Sequence, residues 1–135
     1  MIVLDVNAAY AMVDGAVEGL GMKELMLEGE KTIAPTLFCS ESANVAWKSV
    51  QFGSLGRNRS LDRMMLALGL IDEFYPDESM MAEAVDEALA RRHSVYDMFY
   101  LVLARRTGAT LFTLDKKLAD ICREAKVNCI EETTI

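Results

Sequence analysis

Short apolar bursts alternate along the chain with longer stretches of helical spacing. The first burst, Ile2-Val3-Leu4, reads as a buried strand that ends at Asp5, with a helix expected from Asn7 onward. Gly15, Gly19 and Gly21 loosen the next section, after which Leu20, Leu25, Met22 and Met26 supply the apolar side of a second short helix. KTIA is a candidate strand, and Pro35 suits the first turn of a helix over PTLFCSESANVAWKSVQF. GSLGRN is a loop, followed by Leu61, Met64, Met65 and Leu68 at helical spacing. LIDEFYP gives a third strand candidate. Met81, Val85 and Leu89 then recur every fourth residue in an amphipathic helix between Glu78 and about Arg92. A helix from Ser94 to Arg106, a strand ATLFTL, a helix from Lys116 to Ala125 and a last strand VNCI complete the order. Apolar strands separated by helices predict a three-layer α/β sandwich, a central parallel sheet with helices on both faces, as one domain over residues 1–135.

In such sheets ligands gather outside the carboxyl ends of the strands. Asp5 closes the first strand and Asp115 follows the strand after Gly108, so both belong to that edge. Each has a second reading as the cap of the helix it precedes. Asp97 stands in Ser94-Val95-Tyr96-Asp97, the spacing of a capping box, yet Tyr100, Leu101 and Ala104 stack on its face. A carboxylate turned toward that side is partly desolvated and needs a cation or donors. At 100° per residue, Ser40, Glu41, Asn44 and Lys48 fall into one narrow polar sector of an otherwise apolar helix, with Leu37 intruding. That sector is either a solvent stripe or a wedge facing a cleft.

Composition narrows the chemistry. Apolar residues make up 52% of the chain and charged ones 26%, an ordinary globular balance, while the net charge of −7 gives nucleic acid no general attraction. Cys39, Cys122 and Cys129 follow no ligand spacing and are expected as buried free thiols. One histidine, His93, excludes a multi-histidine metal site and leaves no imidazole pair for acid–base cleavage. No apolar run reaches the ~18 residues of a membrane span, and the first residues lack a basic leader, so a cytoplasmic protein is expected. Arg91, Arg92, Arg105 and Arg106 read as helix C-terminal charges.

Asp5, Glu41, Asp97 and Asp115 form an all-oxygen set, which selects Mg²⁺ or Mn²⁺, and carboxylates forced together call for such compensation. With their contexts (IVLDVN, APTLFCSESANVAWK, HSVYDMFYLVLAR and GATLFTLDKKLA), the four resemble the acids of the PIN domain family, and within it the VapC-like toxins of toxin–antitoxin pairs. The resemblance runs through essentially the whole chain. It implies a metal-dependent endoribonuclease in which these four acids are catalytic and hold the metal. Asn7 and Thr113 match supporting positions of the family, and Asn44 lies one turn from Glu41. Hydrolysis by metal-activated water would leave 5′-phosphate and 3′-hydroxyl ends. Candidate RNA contacts are Lys116, Lys117, Arg57, Arg59 and Lys48; Tyr96 and Tyr100 suit either base stacking or the core. The resemblance also implies a structured RNA such as tRNA as substrate, a homodimer, and a small antitoxin. The pairs Met22/Met26 and Met64/Met65 are candidates to receive the antitoxin. Three other readings fit parts of the pattern: a PIN nuclease of RNA processing, a non-catalytic binding module, and a phosphotransfer receiver. The receiver would need an aspartate closing the third strand.

Overall fold

The computed structural model describes residues 1–26 and 29–131, and the side chains among them except those of Glu18 and Leu25. The contact expected of Leu25 thus lies outside the described residues. Among the described residues, five strands and seven α-helices follow in the order β1 (Ile2–Leu4), α1 (Val6–Asp14), α2 (Val17–Met26), β2 (Thr32–Pro35), α3 (Leu37–Gln51), α4 (Arg57–Leu68) and β3 (Glu73–Tyr75). After a 3₁₀ turn, Asp77–Met80, come α5 (Met81–Arg91), α6 (Val95–Thr107), β4 (Thr110–Phe112), α7 (Lys116–Glu124) and β5 (Cys129–Ile130). The strands form one parallel sheet ordered β3-β2-β1-β4-β5. The expected sandwich is therefore the observed fold. The receiver reading fails on this order, which differs from 2-1-3-4-5. Asp72 moreover precedes β3 and accepts the Thr32 amide at 2.8 Å instead of closing the strand.

Right-handed crossovers put α1 to α4 on one face of the sheet and α5 to α7 on the other. The helix α6 crosses β1, β2 and β4 and carries α5 on its outer side. Its Met98, Leu101, Val102, Leu103 and Ala104 are all buried, which accounts for a helix apolar around most of its circumference. Arg105 bonds both Glu83 and Glu87 of α5, at 2.9 and 2.7 Å, while Arg106 joins Glu83 and Arg91 joins Glu87. Two of the arginines expected as helix-end charges, Arg105 and Arg106, thus also clasp α6 to α5, while Arg91 braces Glu87 within α5.

That clasp explains a departure from the expected pattern. Met81, Val85 and Leu89 are exposed, at 53%, 47% and 73%, and do not reach the core; Ala84 is the buried residue of α5. The glutamates and small alanines, not the larger apolar side chains, meet α6. Other boundaries also differ. Pro35 ends β2, in register with Tyr75, and does not open a helix; β1 stops pairing two residues earlier, so no neighbour needs the missing N–H. The helix α4 begins at Arg57, one turn earlier than its apolar residues suggest, and α2 begins at Val17, taking Gly19 and Gly21 inside it. Cys39 is exposed rather than buried, on the outer side of α3, while Cys122 is buried and Cys129 half-buried. No helix among the described residues is long and apolar enough to cross a membrane.

Candidate functional site

The chain reverses its direction across the sheet between β1 and β4, the place where an open parallel sheet leaves a crevice at its carboxyl edge. β1 delivers Asp5 there, and β4 delivers Thr113 and Asp115. Because α6 runs back toward β4, its first turn lies at the same edge and carries Asp97. Glu41 comes from the second turn of α3, just beyond β2. Asp5, Glu41, Asp97 and Asp115 line one cavity of about 210 Å³, together with Asn7, Asn44, Lys48 and Tyr100. The polar sector of α3 is therefore a wedge facing a cleft.

Each acid is drawn to a donor of its own. Asp5 caps α1, accepting the Ala8 amide at 2.9 Å. Asp115 caps α7, accepting the amides of Lys117 and Leu118 at 2.9 and 3.2 Å. Glu41 accepts the Tyr100 hydroxyl at 2.6 Å, and Asp97 pairs with Nε2 of His93 at 2.7 Å. Thr113, fully buried, accepts the Asp115 amide at 3.0 Å, and its side chain stands near enough to Asp5 to favour that carboxylate's charged form. Capping and pocket placement, alternatives in the sequence, coexist at Asp5 and Asp115.

Electrostatics mark the crowding. Burial pushes the Asp5 carboxyl up to about 7, although Thr113 and the Ala8 amide favour its charged form; Asp97 and Glu41 add to the rise. Glu41 is also raised, chiefly by burial and then by Asp97, against the Tyr100 hydrogen bond. Tyr100 is held well above a phenol's usual range by burial and by Glu41. Replacing Tyr100 with phenylalanine is expected to raise the Glu41 pKa further, readable by carboxyl NMR titration. A hydrogen bond to a charged group is worth about 1.5–3 kcal/mol, and stability should fall by a similar amount.

The acids nevertheless do not close into a cage. Among the described residues, no group of three or more Asp, Glu, His or Cys side chains could hold a metal ion as placed. Mutual repulsion and four separate donors explain the spread. The donor chemistry suits a hard divalent cation that keeps some of its water, as Mg²⁺ does, with Lys48 the one basic residue among the described residues that line the cavity.

Some expected contacts sit elsewhere. Arg57 lies in the first turn of α4, not in a loop, and lines a separate apolar groove of about 390 Å³ between α3 and α4. Arg59, Lys116 and Lys117 are exposed and do not line the acidic cavity, whereas Lys48 does. Tyr96 is exposed and Tyr100 is buried. Met22 is fully buried and Met26 half-buried against the core, so that pair is no docking surface; Met64 lines the α3–α4 groove and Met65 is 61% exposed. Two partners were missed in the sequence, His93 for Asp97 and Tyr100 for Glu41. The first has the i, i+4 spacing that signals such pairs, while the second joins residues 59 apart.

Comparison with known proteins agrees with this architecture. No curated protein matches the chain. Among solved structures, PAE2754 of Pyrobaculum aerophilum superposes with a TM-score of 0.69 at 22% identity, over 88% of this chain and 84% of that one. VapBC2 of Rickettsia felis, solved bound to a DNA fragment from its promoter, gives 0.70 at 16% identity over 96% and 98%. At such identities the likeness is one of fold. Residues 2–124 match the PIN domain, and the chain belongs to the PIN domain family.

Proposed function

We propose that the chain is a metal-dependent endoribonuclease, the VapC-like toxin of a toxin–antitoxin pair acting in the cytoplasm on a structured RNA such as tRNA. One observation carries the reading: Asp5, Glu41, Asp97 and Asp115, from four parts of the chain, line a single cavity at the switch point of the sheet. Asp5, Asp97 and Asp115 would hold Mg²⁺ or Mn²⁺, directly or through water. A cation bound there would supply Lewis acidity toward the phosphate and an activated water near neutral pH.

The chain's own residues do the rest. Glu41, with its raised pKa and its Tyr100 hydrogen bond, orients the attacking water. Lys48 and Asn44, on the same face of α3, receive the phosphate backbone, and Lys116 and Lys117 extend that contact beyond the cavity. His93 is tied to Asp97 and has no second imidazole to work with, so the products carry 5′-phosphate and 3′-hydroxyl ends. An antitoxin would dock in the apolar groove between α3 and α4, against Trp47, Val50, Leu61 and Met64. The exposed stripe Met81, Val85 and Leu89 offers α5 as the face for a second copy.

The test is incubation of the purified chain with total RNA in Mg²⁺, in Mn²⁺ and in EDTA, beside Asp97→Asn. Cuts that need metal and vanish in the variant are the expected result. Intact RNA in every lane would support the non-catalytic module instead. Cleavage without growth arrest on expression would favour a nuclease of RNA processing.

A further inference from the structure

We infer that His93 is a positioning residue for Asp97, a role that rests on the proposed metal site. The Ser94-x-x-Asp97 spacing invites Asp97 to fold back on the Ser94 amide and complete a capping box. The box does not form: the Ser94 hydroxyl accepts the Tyr96 amide at 3.3 Å, not the Asp97 amide, and Oδ2 of Asp97 faces Nε2 of His93 at 2.7 Å, not the Ser94 amide. Facing a carboxylate, that nitrogen carries the proton and donates. One oxygen of Asp97 is thereby engaged, and the other is left for the cavity that Asp97 lines.

His93 is itself held in place. It stands in the elbow between α5 and α6, where Arg92 takes a left-handed conformation at φ 53° and the His93 amide returns to the Ala88 carbonyl at 3.1 Å. This closure of α5 fixes the backbone that aims the imidazole. Its side chain is 15% exposed against 29% for Asp97, so solvent competes weakly for the bond. A carboxylate aimed at a metal commonly depends on such an outer hydrogen bond, and its loss typically costs about 10–100-fold in metal affinity.

Two variants and a metal-binding readout test this. His93→Leu keeps bulk and removes the donor; His93→Gln restores an N–H at similar reach. Mn²⁺ is titrated into each full chain and free Mn²⁺ is followed by electron paramagnetic resonance, with circular dichroism melting in EDTA as the measure of folding. The expectation is a Mn²⁺ affinity about 10–100-fold weaker in His93→Leu, largely recovered in His93→Gln, at similar melting temperatures. Wild-type affinity in His93→Leu, or equal weakness in both variants, overturns the positioning role and leaves the nuclease reading standing. A wild-type chain that takes up no Mn²⁺ overturns both.

Discussion

Replacing Asp5 with asparagine is expected to stabilise the metal-free fold at pH 8 and to silence RNA cleavage in the same stroke. Asp5 titrates near 7 in the folded chain against an ordinary 3.8, because burial penalises its charge. Between those values the unfolded chain has lost a proton that the folded chain keeps. Stability therefore falls as pH rises from about 4 to about 7, and the loss is complete above that. At ~1.4 kcal/mol per pH unit, the ceiling on this loss is about 4 kcal/mol. Asparagine removes the charge yet can still accept from the Ala8 amide. Urea unfolding in EDTA should show the wild type weakening between pH 5 and 8 while Asp5→Asn stays level, gaining roughly 2–4 kcal/mol at the upper end. Added Mn²⁺ should stabilise the wild type and leave the variant nearly unmoved, since only a ligand bound to the folded state adds stability. Wild-type stability that is flat from pH 5 to 8 would show that Asp5 bears no such strain.

A carboxylate whose charge strains its own fold is what the proposed metal site would relieve. The sequence carried part of this. Asp5 and Asp115 stood out because each ends an apolar burst, and strand ends in a parallel sheet have only one edge to reach. Asp97 stood out through the apolar residues stacked on its face. Glu41 was harder, because a polar sector on a helix looks the same whether it meets solvent or a cleft; only the packing of α3 beside β2 and against α1 and α4 decides that. What the chain order could not convey was pairing at a distance. The Tyr100–Glu41 bond joins α6 to α3 across the cavity and has no local signature; nothing local brings Thr113 beside Asp5 either, although its bond to the Asp115 amide is a short-range turn. The stripe on α5 misled for a related reason. Period alone says which residues share a face, and the ion pairs of Glu83 and Glu87 with α6 decide which face turns inward.

Gly19→Ala is expected to be the most damaging conservative change outside the acidic cavity. Helix propensity alone argues the opposite, since alanine inside α2 should gain about 1 kcal/mol over glycine. A Cβ at position 19 would lie 2.4 Å from the Ala11 carbonyl carbon, 2.5 Å from its oxygen and 2.5 Å from the Met12 nitrogen. All three are backbone atoms, so no side chain can swing away. Nor can α1 retreat freely. Asp5 caps its start, the Tyr10 hydroxyl bonds the Ser42 carbonyl at 3.0 Å, and Arg63 grips Asp14 through two bonds while stacking over Tyr10. Either α2 lifts off, uncovering Met12 and Met22, or α1 shifts and carries Asp5 with it. Overpacking typically costs about 1–3 kcal/mol and more where backbone is struck, so a net loss of about 3 kcal/mol is expected. In a chain of this length that lowers the melting temperature by roughly 10 °C. Gly56→Ala is the control for steric room: its Cβ meets nothing within 4 Å and its φ of −75° suits any residue, so only the weaker N-cap of α4 is at stake and its melting temperature should fall far less. If Gly19→Ala melts at or above the wild type, the close approach of α1 and α2 is not what requires glycine there.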